Sequence, residues 1–268
     1  MRLYVNGHGV EYDGVPYLWS LRSSLSPHSD VTIVNGYHTK ANRRLQEGDQ
    51  IVLIQKGQLP PTAELEAMLT ARLTPGVYQK VRSATVGIAG LGGLGSNIAM
   101  MLARTGVGRL VLADFDTVEP SNLNRQCYSL SHLGMQKTEA CASQIREANP
   151  LVQVQTCATA VTEDNAVTCF GDCDIVCEAF DDPLAKAALI NTLLEQPYGP
   201  IIVSGSGMAG MDSSNKIRTR RALQRLYVCG DETSEAQEGL GLMAPRVTIC
   251  AGHQANMALR LLTGSTEP

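Results

Sequence analysis

The sequence predicts an α/β protein in two parts: a doubly wound, mostly parallel sheet, preceded by a small α+β module. Three observations carry this. From Ala84 onward, short apolar runs alternate with helical segments, the pattern of strand–helix crossovers. Runs such as ATVGIA, RLVLAD, CDIVCEAF and PIIVSGS are apolar on both faces, as strands inside a parallel sheet are. The first 57 residues instead hold short strands joined by Asn-Gly turns, with one short helix among them.

Taken in order, RLYVN is a strand that turns at Asn6-Gly7 into VEY, and Pro16 sits in the first turn of a short helix carrying Leu18, Leu21 and Leu25. VTIVN is the next strand, closed by Asn35-Gly36, and residues 50–55 form the last one after the turn-like LQEGD. This order buries one helix on a small sheet. Over 58–82 the pattern becomes a helical connector. Pro60 and Pro61 stop a strand, Thr62 caps a helix carrying Leu65, Met68, Leu69 and Leu73, and Pro75-Gly76 ends it. The expected organisation is therefore 1–57, 58–82 and 83–268. In the last part ATVGIA is a strand, 96–104 a helix, RLVLAD a strand and 138–148 a helix stopped by Asn149-Pro150. VQVQTC, CDIVCEAF and PIIVSGS complete the strands, with 184–194 helical between the last two.

Composition bounds the function. Of 268 residues, 44 % are apolar and 18 % charged, which supports a sizeable core and argues against disorder. A formal charge of −4 argues against non-specific nucleic-acid binding as the main role. No apolar run approaches the roughly 20 residues of a membrane span, and MRLYVNGHGV breaks before a signal-peptide core can form. A soluble, cytoplasmic protein is expected. None of the eight cysteines forms a C-x-x-C pair and none precedes Cys127, which fits reduced thiols rather than a zinc knuckle or a secreted disulfide framework. The five histidines are scattered without metal-ligand spacing.

The sharpest local feature is VGIAGLGGLGSNIAMMLA. Gly90, Gly92 and Gly95 fit G-x-G-x-x-G between a strand and a helix, the Rossmann-like setting in which the pattern carries meaning. Glycine lets the backbone turn tightly and approach phosphates, and the helix N-terminus offers open N–H groups. The second strand ends in Asp114, placed to accept ribose hydroxyls. The pattern recurs at Gly205, Gly207 and Gly210, but MDSSNKIRTRR follows with no apolar helical period, so this copy reads as a loop. The fingerprint alone favours an NAD-dependent enzyme; its neighbours favour a triphosphate. Asn122 and Arg125 in DFDTVEPSNLNRQ, and Lys137 in HLGMQK, bring the donors and positive charge that phosphoryl oxygens need. EAFDDPLAK puts Asp181 and Asp182 at a strand end, where a carboxylate can hold Mg²⁺ against phosphates. No G-x-x-x-x-G-K-[ST] is present, so the site is not of the Walker type.

In that order, GxGGxG, DFDxVExSNLxRQ, GxxK and the FD pair resemble the ThiF/MoeB adenylyltransferases, relatives of ubiquitin-activating enzymes, over about residues 72–264. APRVTICAGHQANMALRLLTG is similar to the last helix of the ThiF branch that acts in thiamine biosynthesis. VNG at 5–7, VNG at 34–36 and RLQEGDQIVLI resemble ThiS, a β-grasp (ubiquitin-like) sulfur carrier. The resemblance implies that the C-terminal glycine carboxylate of a separate ThiS-like carrier attacks the α-phosphate of ATP. An acyl-adenylate and pyrophosphate result, on the way to the thiamine thiazole. It implies that Gly90, Gly92, Gly93 and Gly95 approach the nucleotide, that Asp114 takes the ribose, and that Asn122, Arg125 and Lys137 hold phosphates. It implies further that Asp181 binds Mg²⁺, with Asp182 as the less favoured substitute. Arg72 matches an arginine that reaches into the partner protomer's site, which implies a homodimer.

The chain departs from that pattern twice. Many relatives carry two C-x-x-C pairs that bind zinc; only Cys229 and Cys250 stand in the corresponding tail, so no zinc is expected. Cys229, before the acidic DETSEAQEGLG, is the candidate for a sulfur-transfer thiol, set against a buried or spectator role. The carrier-like module lacks a Gly-Gly tail, since Gly57 runs into Gln58, Leu59 and Pro60. It is therefore expected to be a pseudo-carrier for docking, dimerisation or regulation. Lys216, Arg218, Arg220, Arg221 and Arg225 form either a solvated basic face or a contact for an acidic carrier. The rival readings are a tRNA-acting adenylating dehydratase anchored near Arg220, MoeB-like activation of a molybdopterin-synthase carrier, and a binding protein with an inactive nucleotide pocket.

Overall fold

Two Asn-Gly turns organise the first unit of the computed structural model, which describes residues 1–268 and divides into Met1–Tyr78 and Gln79–Pro268. β1 (Arg2–Val5) and β2 (His8–Glu11) pair through Asn6 and Gly7, at φ 48° and 85°, the left-handed pair that a two-residue hairpin needs. α1 (Leu18–Leu25) follows; its cap is Tyr17, so Pro16 lies just before the first turn rather than in it. β3 (Val31–Val34) turns at Asn35-Gly36 into β4 (Tyr37–His38), whose two residues are too few to show as a period in the sequence. β5 (Gln50–Ile54) enters the middle, parallel to β1 and antiparallel to β3, giving the order β2-β1-β5-β3-β4. Leu18 and Leu21 of α1 bury against Leu3, Val34, Ile51 and Leu53 of that sheet, a β-grasp arrangement. α2 (Thr62–Thr70) belongs to this unit. Thr62 opens it, and Pro61, not Thr62, holds the cap position. Asn6 Nδ2 donates to Glu64 Oε2 at 2.6 Å while Asn6 Oδ1 accepts from Leu53 N at 2.8 Å, tying hairpin, β5 and α2 together. α3 (Val77–Val81) follows Pro75-Gly76.

The second unit contains β6 (Thr85–Ala89), α4 (Gly93–Thr105), β7 (Arg109–Ala113), α5 (Lys137–Ala148), β8 (Gln153–Cys157) and α6 (Glu163–Phe170). It continues through β9 (Ile175–Glu178), α7 (Pro183–Glu195), β10 (Ile201–Gly205), β11 (Arg218–Leu223), β12 (Leu226–Gly230) and α8 (Ala244–Leu262). The strand order is β11-β12-β10-β9-β6-β7-β8, parallel throughout except for β11. The chain starts in the middle at β6, fills one side with β7 and β8, then crosses to β9. The switch point therefore falls beside β6, where the carboxyl ends of strands diverge and a ligand crevice opens. Both faces of the central strands are covered: Val86, Ile88, Leu110, Leu112, Val176, Ile202 and Val203 are all buried.

Three differences from the sequence expectation have physical causes. α4 starts at Gly93, inside the glycine loop, because its first turn needs no apolar residue. α6 escapes a periodicity test because only Ala166 and Phe170 of its eight residues are buried. The stretch read as a loop after Gly210 includes an edge strand: Arg218–Leu223 pairs antiparallel with β12, taking its order from backbone bonds and not from an apolar face. No helix is long and apolar enough to cross a membrane.

Candidate active site

The glycine loop closes on its own backbone. A Cβ on Gly95 would lie 1.8 Å from Gly90 O, so only glycine lets α4 start this close to β6. Gly90 has φ +89°, and a Cβ there would sit 3.0 Å from both Ala179 O and Phe180 Cδ1. The loop thus rests against the segment that leads to Asp181. Gly92 caps α4 and brings no side chain, so helix geometry leaves the N–H groups of Gly93, Leu94 and Gly95 open, with the positive dipole end behind them.

Asp114, at the end of β7, is buried, and it holds the loop in place. Its Oδ2 accepts from Leu91 N at 2.7 Å and its Oδ1 from Asp116 N at 2.8 Å. Burial pushes the Asp114 carboxyl above its ordinary value, against the pull of those two N–H groups and of Lys137. Lys137, the first residue of α5, is also buried; its Nζ donates to Asp116 Oδ2 at 2.7 Å and lies 4.0 Å from Asp114 Oδ1. Tyr128 joins the same group, donating to Leu91 O at 2.9 Å.

Arg125 packs against the start of α4. Its Cγ and Cδ lie 3.5 and 3.7 Å from the position of a Gly93 Cβ. One terminal nitrogen donates to Ser121 O at 3.0 Å and Asn124 Oδ1 at 2.9 Å, while Nε is buried without a partner. Gln126 Nε2 lies 3.9 Å from the Gly92 Cβ position, and its Oε1 is likewise buried and unpartnered. The fold thus leaves two polar atoms without a partner beside the glycine loop. Asn122 is committed elsewhere, since both ends of its amide bond to Glu119 and close a short turn.

At the end of β9 a buried charge pair supports the next loop. Glu178 is fully buried; its Oε2 accepts from Lys186 Nζ and from Ser204 Oγ at 2.6 Å, and its Oε1 from Phe180 N at 2.7 Å. Lys186 Nζ also donates to Gly205 O, and Gln254 of α8 donates to Glu178 O at 2.9 Å. Asp182 caps α7, accepting from Leu184 N at 2.8 Å, whereas Asp181 is exposed and engaged in no cap. The two adjacent carboxylates are thus told apart: one is structural, the other open.

The structure draws the four glycines, Asp114, Lys137 and Arg125 around one loop, with Phe180 beside Gly90 and Asp181 next in the chain. Arg72 lies in the first unit, exposed after α2. Cys229 is fully buried in β12, and burial pushes its thiol up to about 11, so it offers no open sulfur. The basic segment is largely spent on the fold. Arg220 pairs with Glu232, Lys216 with Asp212, and Arg225 donates to carbonyls at the end of α7. Asp116, Tyr128, Gln126, Glu178 and Lys186 join the site only in the structure. The DFD spacing signals Asp116, since i and i+2 share one side of an extended segment; Tyr128 and Gln126 act through contacts far apart in the chain, and Glu178 and Lys186, eight residues apart, meet where the end of β9 faces α7. A second buried pair, Arg246–Asp231, anchors the loop after β12. Burial raises the Asp231 pKa, yet hydrogen bonds from Ser234, Thr233 and Arg246 outweigh it and hold the carboxyl well below the usual range.

An open α/β sheet with a glycine loop, an acidic strand end and two cations at its switch point defines the class. Residues 65–268 match the ThiF family and residues 1–57 the ThiS-like ubiquitin family; the chain belongs to the ThiF family. It is 30 % identical over 189 residues to the adenylyltransferase and sulfurtransferase UBA4 of Yarrowia lipolytica, covering 69 % of this chain and 47 % of that protein. It is 37 % identical over 133 residues to the adenylyltransferase and sulfurtransferase MOCS3 of Culex quinquefasciatus, covering 48 % and 29 %. The chain spans about half the length, or less, of these relatives. The solved E. coli tRNA N6-threonylcarbamoyladenosine dehydratase TcdA, in complex with ATP, shares the fold: TM-score 0.67 at 23 % identity, covering 77 % of this chain and 97 % of that one.

Proposed function

We propose that this protein is an adenylyltransferase that uses ATP to activate the C-terminal glycine carboxylate of a separate ubiquitin-like sulfur carrier, with a ThiS-like carrier of thiazole synthesis as the preferred substrate. The observation that carries the reading is the unpartnered Nε of Arg125 on a side chain packed against Gly93, in the first turn of a helix whose N–H groups are open. Asp114 accepts the ribose hydroxyls through the lone pairs its two N–H bonds leave free. The open N–H groups of the glycine loop, with Arg125, Lys137 and Asn122, hold the phosphate oxygens; Asn122 exchanges its bonds to Glu119 for this. Asp181, the open carboxylate of the adjacent pair, would hold Mg²⁺, which would neutralise charge on the phosphates.

The reaction needs no base, because the attacking carboxylate is already ionised at neutral pH. Its oxygen bonds the α-phosphorus, the bond from that phosphorus to the bridging oxygen breaks, and pyrophosphate leaves with the electron pair. Positioning and charge neutralisation supply the rate. The carrier-like module is not the substrate in this reading: after β5 the chain continues into α2, and the Asn6–Glu64 bond pins that continuation. Arg72 acts on the site of a partner protomer in a homodimer.

UBA4 and MOCS3 favour, as a second reading, a carrier other than that of thiamine synthesis. The tRNA reading is weakened by the pairing of Arg220 and Arg225 within the fold. The test is intact-mass spectrometry of candidate carriers incubated with protein and Mg-ATP, alongside exchange of label between pyrophosphate and ATP. An added AMP on a carrier ending in glycine, lost in Asp181→Ala and Arg125→Ala, is expected. Exchange that survives both substitutions, or AMP appearing on tRNA alone, overturns the reading. Mixing Arg72→Ala with Arg125→Ala protein restores part of the activity if the dimer assignment holds.

A further inference from the structure

We propose that Cys157 and Cys169 form a reversible thiol–disulfide site that takes low-molecular-weight disulfides as its oxidant. Cys157 closes the edge strand β8 and Cys169 lies in the last turn of α6, with their sulfur atoms 3.1 Å apart. Both are half-buried, so each keeps access to solvent. The other six thiols lack that combination. Cys141, Cys173, Cys177, Cys229 and Cys250 are buried, and Cys127 is engaged with Asn97 Oδ1 at 3.1 Å. The pair sits at the carboxyl edge of the sheet: Cys157 O accepts from Asp114 N at 3.3 Å, and Phe180 packs into the same apolar cluster as both cysteines.

The roles of the two sulfurs follow from their surroundings. Burial, then the neighbouring Cys157, pushes the Cys169 thiol up to about 12, so Cys169 gives up its proton less readily and the first attack falls to the Cys157 sulfur. Cys157 attacks one sulfur of oxidised glutathione, that S–S bond breaks, and one glutathione leaves as its thiolate. That thiolate takes up from solvent the proton that Cys157 gave to it, and Cys169 in turn releases its own proton to solvent. Cys169 then attacks the Cys157 sulfur and expels the second glutathione, which takes its proton from water. Two protein thiols are oxidised to one disulfide and one glutathione disulfide is reduced to two thiols. The new bond staples the edge strand to α6 beside the carboxylate at the end of β7.

The test treats the folded full chain with oxidised glutathione, alkylates remaining thiols after unfolding, and maps the peptides. The alkylatable count falls from eight to six, with one Cys157–Cys169 bridge reversed by dithiothreitol. Cys169→Ser stops with one glutathionyl group on Cys157, and Cys157→Ser leaves Cys169 unmodified. A bridge between any other pair, equal labelling of Cys169 in Cys157→Ser, or eight free thiols after treatment overturns the proposal. The mapping needs neither ATP nor a carrier, so its outcome is independent of the adenylation reading.

Discussion

Replacing Lys186 with Met tests the buried pair beneath the candidate metal-binding loop. Met keeps the length and apolar stem of lysine and removes only the cation. Glu178, with no exposed surface, then faces no opposite charge but retains donors from Ser204 Oγ and Phe180 N. Breaking one side of a buried pair costs about 3–5 kcal/mol. The Lys186 side chain is 23 % exposed and two neutral donors stay on Glu178, which places the expected loss near the low end, about 3 kcal/mol. Urea denaturation reads it as a fall in midpoint at constant slope. The double variant Lys186→Met/Glu178→Gln removes the stranded charge and recovers most of the loss, giving a coupling of about 2 kcal/mol or more. A single variant that costs under about 1 kcal/mol, or a double variant no more stable than the single one, refutes the reasoning.

Gly95→Ala puts a Cβ 1.8 Å from Gly90 O and destabilises by about 2 kcal/mol even though alanine favours helix by about 1 kcal/mol; Gly252→Ala in α8, with nothing within 4 Å, stabilises instead. Paired melting curves check the opposite signs. The depressed pKa of Asp231 means that its contribution is complete above the unfolded carboxylate value and is lost as pH falls through the lower folded value. Asp231→Asn therefore flattens the acid limb of stability against pH below about 4, read by denaturation at several pH values. Asn6→Ala removes bonds to Glu64 and Leu53 and puts alanine at φ 48°, costing about 2 kcal/mol; a melting temperature within error of the wild type contradicts the pinning of α2.

What could be read ahead of the structure was local. Asn6-Gly7 and Asn35-Gly36 announce hairpins because few residues tolerate positive φ, and runs such as RLVLAD announce buried strands because both faces are apolar. The glycine loop and Asp114 were legible for the same reason: strand, turn, helix and acid follow one another in the chain. β11 was not, because an edge strand needs only a neighbour's backbone and Arg218–Leu223 carries no apolar face. Nor was the Glu178–Lys186–Ser204 group, whose members come from β9, α7 and β10 and meet only after the sheet has formed.

The separation of Asp181 from Asp182 shows where the two kinds of information meet. Sequence places both at a strand end, and composition gives no reason to prefer either. The helix decides. Pro183 at the first position of α7 fixes the start, the residue before it must cap, and Asp182 spends its carboxylate on Leu184 N. Glu178 then holds Phe180 N, which sets the direction of the chain just before Asp181. An open carboxylate at this sheet edge therefore depends on a proline, a cap and a buried ion pair. On that logic Asp182→Asn, which keeps the cap, spares activity, whereas Asp181→Asn abolishes it. Equal loss in adenylation assays from the two substitutions would undo the assignment.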